Sequence, residues 1–514
     1  MKKKRTEEGG QLQWRERYVA VIKACTEFFF KCREFVESYK CLYFVVATSA
    51  VTLLLGCLIS VANLITLGAM ILFVFCVAWC VADLKARFLT LVMYLMQFTF
   101  WLSRPVIDGL RGNQWWYFSN DSISKAFAAI YISQLALFVG TKYAGRTRGY
   151  VNKYFCNRIS PHSFEVSKIA EWCLVGGMVI TGAVNYYVEF STYRVMKIMD
   201  YASIYTSVTP TYPKVISVLS MLFPFAVVAN LSLLPRKKNS LVILGLYIIS
   251  AVPSLLLGSR NEFVVRVLFA VIYFVLRGTV LPRGEQWISK LFVAVVGISA
   301  LALVVFMGAY NYIRGGASVL ETSIWEVFVD FFQKQGTTFD TICQGFEFEE
   351  EINALPGPRC YTLGDIIDYF RFSSVGQWIS GIAAPKNGNS VDIVMRSNSM
   401  AHRLSYVVLE RHKYLAGHGR GTAYIIENYY DGGFLLIALY NLCLGTFLAS
   451  IPALMRKNRF ILVYFCFTAL TRLYLLPRYS ASSFVSFVVT PHFWIIPAGV
   501  LFVNHFSKIW GKRQ

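Results

Sequence analysis

Apolar runs close to the length of a bilayer crossing recur along this chain from end to end, and no other feature restricts its fold as much. We place them at 41–60, 62–82, 87–103, 124–142, 169–189, 214–234, 239–257, 262–277, 290–310, 434–453, 460–476 and 483–503. A helix needs about 20 apolar residues to cross a hydrocarbon core. The runs are continuous rather than alternating, which argues against spanning β-strands. Only 15% of the 514 residues are charged, against about 25% in a soluble domain. Mean hydropathy is +0.50. The expected fold class is all-α: a polytopic helical membrane protein with about twelve transmembrane helices. The 262–277 run is short and carries Arg266, so it is expected to tilt or to leave the lipid in part.

The formal net charge of +21 is read through the same frame. Basic residues gather at cytoplasmic span ends. With Lys2, Lys3, Lys4 and Arg5 inside, the inward connections are 83–87, 142–168, 236–238, 277–290, 456–459 and the tail 508–513, each rich in Lys and Arg. Both termini are then cytoplasmic. No zinc-finger spacing and no basic sheet with stacking aromatics accompanies the charge, so nucleic acid is set aside as a partner. Within residues 1–40, the stretch Arg15–Lys40 puts Val19, Ile22, Cys25, Phe29, Cys32 and Val36 on one face, an amphipathic helix for the cytoplasmic leaflet. A bundle of about nine spans follows over 41–310, and about three more with a tail occupy 434–514.

Between them lies 311–433, too polar to thread through a bilayer. It holds ten Lys and Arg against fourteen Asp and Glu, a net of −4, so the remainder carries +25. This is the expected large extracytoplasmic loop, and a loop of such length is usually functional. Ile324, Trp325, Phe328, Phe331 and Phe332 share a helical face, which predicts a helix on the outer surface or packed over the bundle. Most cysteines sit in apolar runs as small hydrophobes. Cys343 and Cys360 share the loop, and a disulfide between them is open if the loop faces an oxidising side.

Charges at mid-span are few, unlike the pattern of coupled transporters. Arginines sit instead at outer span ends: Arg104, Arg260, Arg314 and Arg478. A guanidinium can grip a phosphate with two parallel hydrogen bonds. Arg260, in Gly258-Ser259-Arg260-Asn261-Glu262, is equally compatible with reaching lipid headgroups or pairing with Glu262. Gly417-His418-Gly419-Arg420-Gly421 interleaves His and Arg with glycines that let backbone N–H groups approach an anion, and otherwise makes an ordinary turn before a helix. His402, in Ala401-His402-Arg403-Leu404-Ser405-Tyr406, and His418 are general-base candidates, since an unperturbed imidazole changes charge near neutral pH. Asp340 and Glu427 are carboxylate candidates. No HExxH, DxD, paired CxxC or Walker motif occurs, so neither a metal nor another cofactor is expected.

Taken in order, several segments resemble the Wzy family of O-antigen and capsular repeat-unit polymerases. They are Ser103-Arg104-Pro105, Gly258 through Phe263, Tyr310-Asn311-Tyr312-Ile313-Arg314, Gln335-Gly336-Thr337-Thr338-Phe339-Asp340, Ala401 through Tyr406, Gly417 through Gly421 with Ile426-Glu427-Asn428-Tyr429, and Pro477-Arg478. The departures are Ala423, where a small hydroxyl residue is common, and Gly432-Gly433, where an aromatic is. The resemblance implies glycosyl transfer outside the cytoplasm between undecaprenyl-diphosphate-linked oligosaccharides, with a flippase and a chain-length regulator as partners. The location implied is the bacterial cytoplasmic (inner) membrane. The diphosphate-binding candidates are Arg260, Arg314, Arg478, Arg403 and Arg420. The base candidates are His418 and His402, then Asp340 and Glu427. The rival activities are an O-antigen-ligase-like transferase and, in another class, a lipid-linked sugar flippase.

Overall fold

A computed structural model describes residues 31, 33–112, 117–155, 166–197, 212–257, 259–280, 287–314, 323–386, 388–456 and 460–511. Most of the expected N-terminal amphipathic helix lies outside the described residues. The described residues are mainly helical, with no strand among them. The chain divides into two compact units, one ending at Tyr94 and one beginning at Leu95.

The first unit is a hairpin of α1 (Tyr39–Leu58) and α2 (Ala62–Ala82), followed by α3 (Leu84–Gln97), which runs past the unit's end. Glycines let the hairpin close: a Cβ on Gly68 would lie 2.7 Å from Leu53 N, and one on Gly56 2.6 Å from Ile65 N. Arg87 is held inside this unit by Trp79 O at 2.6 Å and by Glu37 at 3.3 Å.

In the second unit a π-helical turn, Phe98–Leu102, leads into α4 (Ser103–Arg111). Long helices follow: α5 (Asn120–Phe155), α6 (Lys168–Met196), α7 (Lys214–Ser232), α8 (Lys237–Ile249) with short α9 (Val252–Leu256), α10 (Arg260–Val280) and α11 (Lys290–Arg314). The loop folds into eight short helices: α12 (Ile324–Gln335), α13 (Thr338–Glu347), α14 (Glu349–Ala354), α15 (Gly364–Phe372), α16 (Ser374–Ser380), α17 (Val391–Arg396), α18 (Met400–Val408) and α19 (Arg411–Leu415). Three more helices close the chain: α20 (Tyr424–Arg456), α21 (Phe460–Leu473) and α22 (Pro491–Gly511).

Among the described residues eight helices are long and apolar enough to cross a membrane. The chain is a polytopic helical membrane protein; a count of twelve spans remains an expectation. Three boundaries differ from the sequence reading, each for a local reason. The 483–503 run is helical only from Pro491, because Ser483 Oγ bonds Ser480 O at 2.7 Å and Ser486 Oγ bonds Ser483 O at 3.2 Å, holding 3-10 turns ahead of it. Such side-chain bonds compete with the helical ladder. The 262–277 run extends to the 21 residues of α10. Its Arg266 is buried rather than lipid-facing, donating to Tyr247 O at 3.1 Å and to Ser250 Oγ. Finally, α20 begins ten residues before the expected span and breaks at Gly432–Gly433, where Gly433 takes φ +62°. Only glycine adopts that conformation without strain. The break falls where the sequence reading ends the loop.

Two loop features can be set beside the sequence reading. Cys343 and Cys360 are both free thiols, and Cys343 is buried in the α13 core, so no disulfide joins them. In α12 it is Val327 that is buried, under Gly308 of α11, while Ile324 and Trp325 stay exposed. Ser323 and Glu326 form the capping box that starts this helix.

Candidate active site

The loop meets the bundle where α4, the α12–α13 corner and the 476–478 turn converge. Gly336, at that corner, has its Cα against α4: a Cβ there would lie 2.5 Å from Arg104 Cβ and 2.7 Å from Arg104 N. Ser103 Oγ donates to Phe332 O at 2.8 Å and locks the same approach. The π-turn before Ser103 fits this pattern, since extra-residue turns inside helices often mark functional sites.

This approach sets Arg104 Nη1 2.6 Å from Asp340 Oδ2, with both side chains about three-quarters buried. Arg104 Nε lies 3.5 Å from Asp108 and makes no hydrogen bond. Beside them Arg478 Nη1 donates to Gln335 Oε1 at 3.1 Å, and Trp101 Nε1 holds the turn through Pro477 O at 2.8 Å. The glycine cluster reaches the same place: Thr341 Oγ1 donates to Arg420 O at 3.3 Å, and Arg420 N donates to Ser405 Oγ at 2.9 Å. Gly417 and Gly421 adopt φ of +95° and +78°, so the turn that presents Arg420 depends on glycine at both.

Burial raises the Asp340 carboxyl to about 6, although Arg104 and Arg420 pull it down, while Asp108 adds to the rise. A carboxylate partly withdrawn from water beside arginines is suited to take a proton near neutral pH. The corner thus holds a largely buried carboxylate paired with Arg104, with Arg420 and Arg478 on neighbouring segments.

The remaining candidates stand elsewhere. His402 Nδ1 is 3.0 Å from Tyr414 OH, and burial lowers its pKa. His418 is exposed on the turn, and its carbonyl accepts from Asn389 Nδ2 at 2.8 Å. Arg403 lies inside the loop: it is fully buried and donates to Tyr361 OH at 3.2 Å and Pro356 O at 2.9 Å. Glu427 is likewise enclosed, accepting from Ala481 N at 2.7 Å and Thr422 Oγ1 at 3.0 Å, which ties the 480–482 segment to α20.

Arg260 opens α10 and Arg314 closes α11; their side chains lie outside the described features. The backbone brings the α10 start near the site, since Asn261 Nδ2 reaches Tyr479 OH at 3.4 Å. Glu262 pairs with Arg266 at 3.4 Å.

Sequence reasoning left Arg104 and Gln335 out of the site residues. Both stand in segments that carry the family resemblance, and the pairing of Ser103-Arg104-Pro105 with Gln335 through Asp340 is the signal that would have joined them.

No curated protein and no solved structure matches the chain. The family model described as O-antigen polysaccharide polymerase Wzy matches residues 41–514. The chain is therefore an integral membrane protein belonging to the O-antigen polysaccharide polymerase Wzy family.

Proposed function

We propose that the protein joins oligosaccharide repeat units carried on undecaprenyl diphosphate, at the outer face of the bacterial cytoplasmic membrane, with both of its termini cytoplasmic. The observation that carries this reading is the Arg104–Asp340 contact, with Arg420 acting on the same carboxylate and Arg478 bonded to nearby Gln335.

The step is a displacement at the sugar's C1. The acceptor hydroxyl oxygen bonds to C1 as the C1–oxygen bond to the diphosphate breaks. The electron pair leaves with the diphosphate, and the hydroxyl proton passes to Asp340. Charge develops on the departing diphosphate, where preorganised cations act most strongly. Arg104 is central here because an arriving diphosphate competes with Asp340 for its guanidinium. Drawn to the anion, Arg104 leaves Asp340 a stronger base at the moment the proton must move. Arg478 and Arg420 complete the clamp, with Arg260 and Arg314 at the rim.

Asp340 is favoured over the histidines as base because it alone of the four candidates lies against the arginines. His402 and His418 are assigned to the acceptor sugars. Arg403 and Glu427 hold the fold of the loop. The chemistry rests on arginines and a carboxylate and calls on neither a metal nor a nucleotide sugar. A flippase that delivers the lipid-linked unit and a chain-length regulator are the proposed partners.

Purified protein given synthetic repeat unit on undecaprenyl diphosphate should return a ladder of products spaced by one unit. Transfer of a single block to a different acceptor would instead make it a ligase-like transferase. Transbilayer movement of the lipid without chain growth would make it a flippase.

A further inference from the structure

The helical corner α15–α16 carries large apolar side chains that stay exposed among the described residues. Phe370 is 61% exposed, Val375 63%, Ile379 73% and Trp378 85%. This is not a loose patch. Gly376 packs so closely that a Cβ on it would lie 1.8 Å from Phe370 O. Ser373 Oγ caps Gly376 N at 3.1 Å, and Gln377 spans the corner, donating to Phe372 O at 2.9 Å and accepting from Ala384 N at 3.2 Å. The corner is a stiff wedge with its apolar side chains outward.

Its polar side chains bond the loop and the 480–482 segment. Asp368 accepts from Asn398 N and Asn398 Nδ2, both at 2.7 Å, and Arg371 donates to Arg396 O at 3.2 Å. Asp365 accepts from Ser480 Oγ. These polar groups therefore point toward the loop and the 480–482 segment, and the large apolar side chains are left exposed. That division is the pattern of a surface-lying amphipathic element.

What lies beneath is set by the wedge's other neighbour. Helix α15 packs on the 486–489 turn, which leads directly into the apolar helix α22. Trp494, in the first turn of α22, is half exposed and donates its indole N–H to Val488 O at 2.7 Å. Tryptophans are enriched at the membrane–water boundary, with the ring among lipid and the N–H bonded. The wedge packs on the turn that opens this helix, next to that tryptophan.

We propose that Phe370, Val375, Trp378 and Ile379 insert into the leaflet that surrounds the N-terminal end of α22. Their partner is the headgroup–acyl boundary of the membrane that holds the protein. The insertion fixes the height of the loop, and of the helix corner that bears Asp340, above the lipid. It stands independently of the reaction assigned above.

The test uses the full-length protein in phosphatidylglycerol–phosphatidylcholine vesicles and the difference in emission between wild type and Trp378→Phe, a substitution that keeps an aromatic ring. Trp494→Phe, treated the same way, supplies the boundary reference. The Trp378 contribution should be blue-shifted, should lose about half its intensity to lipids brominated near the headgroup, and should resist aqueous iodide. Quenching by iodide and not by brominated lipid would overturn the proposal by putting the wedge in water. Protection from both quenchers, with a dimer on cross-linking, would overturn it by assigning the face to a second copy.

Discussion

The crossing of α5 with α20 and the folded loop are specified by opposite means. Where the two long helices cross, glycine removes side chains so that backbones touch: a Cβ on Gly140 would lie 2.1 Å from Leu442 O, and one on Gly445 2.3 Å from Leu137 O. Close by, neutral groups bond across the helices. Tyr424 OH donates to Asn441 Oδ1 at 2.6 Å and lies 3.0 Å from Ser133 Oγ, which is 2.9 Å from Asn441. The loop instead fastens backbone N–H groups with carboxylates. Asp431 accepts from Tyr361 N at 3.0 Å and Thr362 N at 2.6 Å, and Asp368 holds the Asn398 backbone. A region facing lipid gains no hydrophobic drive from helix contact and relies on small residues and close packing. A region in water can spend charge on its turns.

The largest effect should come from Gly445→Leu. The atoms it would strike are backbone and cannot rotate away, so overpacking costs about 3 kcal/mol or more. The expected outcome is loss of the monodisperse peak on size exclusion. Gly245→Leu serves as the control, since a Cβ there meets nothing within 4 Å. If both variants behave alike, close approach is not what specifies the crossing.

Asp340→Asn tests the charged region where charge is assigned to chemistry. It should leave the size-exclusion profile intact and lower kcat by ~10²–10⁴, the range for removing a general acid–base group. A loss under about threefold would remove Asp340 as the base, because no proton acceptor of that strength can be so nearly dispensable.

Arg104→Gln should be milder, lowering kcat/KM by ~10² through the lost anion contact. Its sharper signature is in pH. Asp340 acts as a base only when deprotonated, so wild-type kcat/KM should rise with pH through about 6. Arg104 lowers the Asp340 pKa, so its removal must move that acid limb to higher pH. A limb that stays fixed or falls would separate the arginine from the carboxylate. The same shift bears on stability. The folded pKa is raised above its ordinary value of 3.8, so the Asp340 contribution favours folding below pH 3.8 and is lost as pH rises through about 6.

How much of this was readable beforehand divides along the same line. Apolar runs locate the long helices because burial in lipid depends on composition alone, and α2, α7 and α11 fall close to their expected bounds. The Gly432–Gly433 break lies where the loop was expected to end, since a polar stretch must leave the membrane. What periodicity does not encode is pairing over long separations. Arg403 and Arg420 look alike in sequence, yet one is sealed under Gly357 and the other borders Asp340. Arg104 was read as one outer arginine among several, because its partner stands 236 positions away.

Tyr424→Phe should have the smallest effect, and it probes the neutral network most directly. Removing the hydroxyl strips three contacts, those to Gln97, Ser133 and Asn441. None of the three is orphaned by the change. Ser133 and Asn441 still bond each other, Gln97 Nε2 still reaches Ser133 at 3.4 Å, and Asn441 Nδ2 keeps Ile437 O at 2.8 Å. The cost should therefore stay near the ~0.6 kcal/mol typical of polar contacts between membrane helices, and not approach the penalty of an unsatisfied buried group. Thermal unfolding in detergent should shift by only a degree or two. Asp431→Ala, by contrast, removes the carboxylate that accepts from both Tyr361 N and Thr362 N, and should cost ~2 kcal/mol or more. If the two variants proved equally damaging, redundancy would not distinguish the membrane network from the loop, and Tyr424 would instead be fixing the angle at which α20 leaves the bilayer toward Glu427.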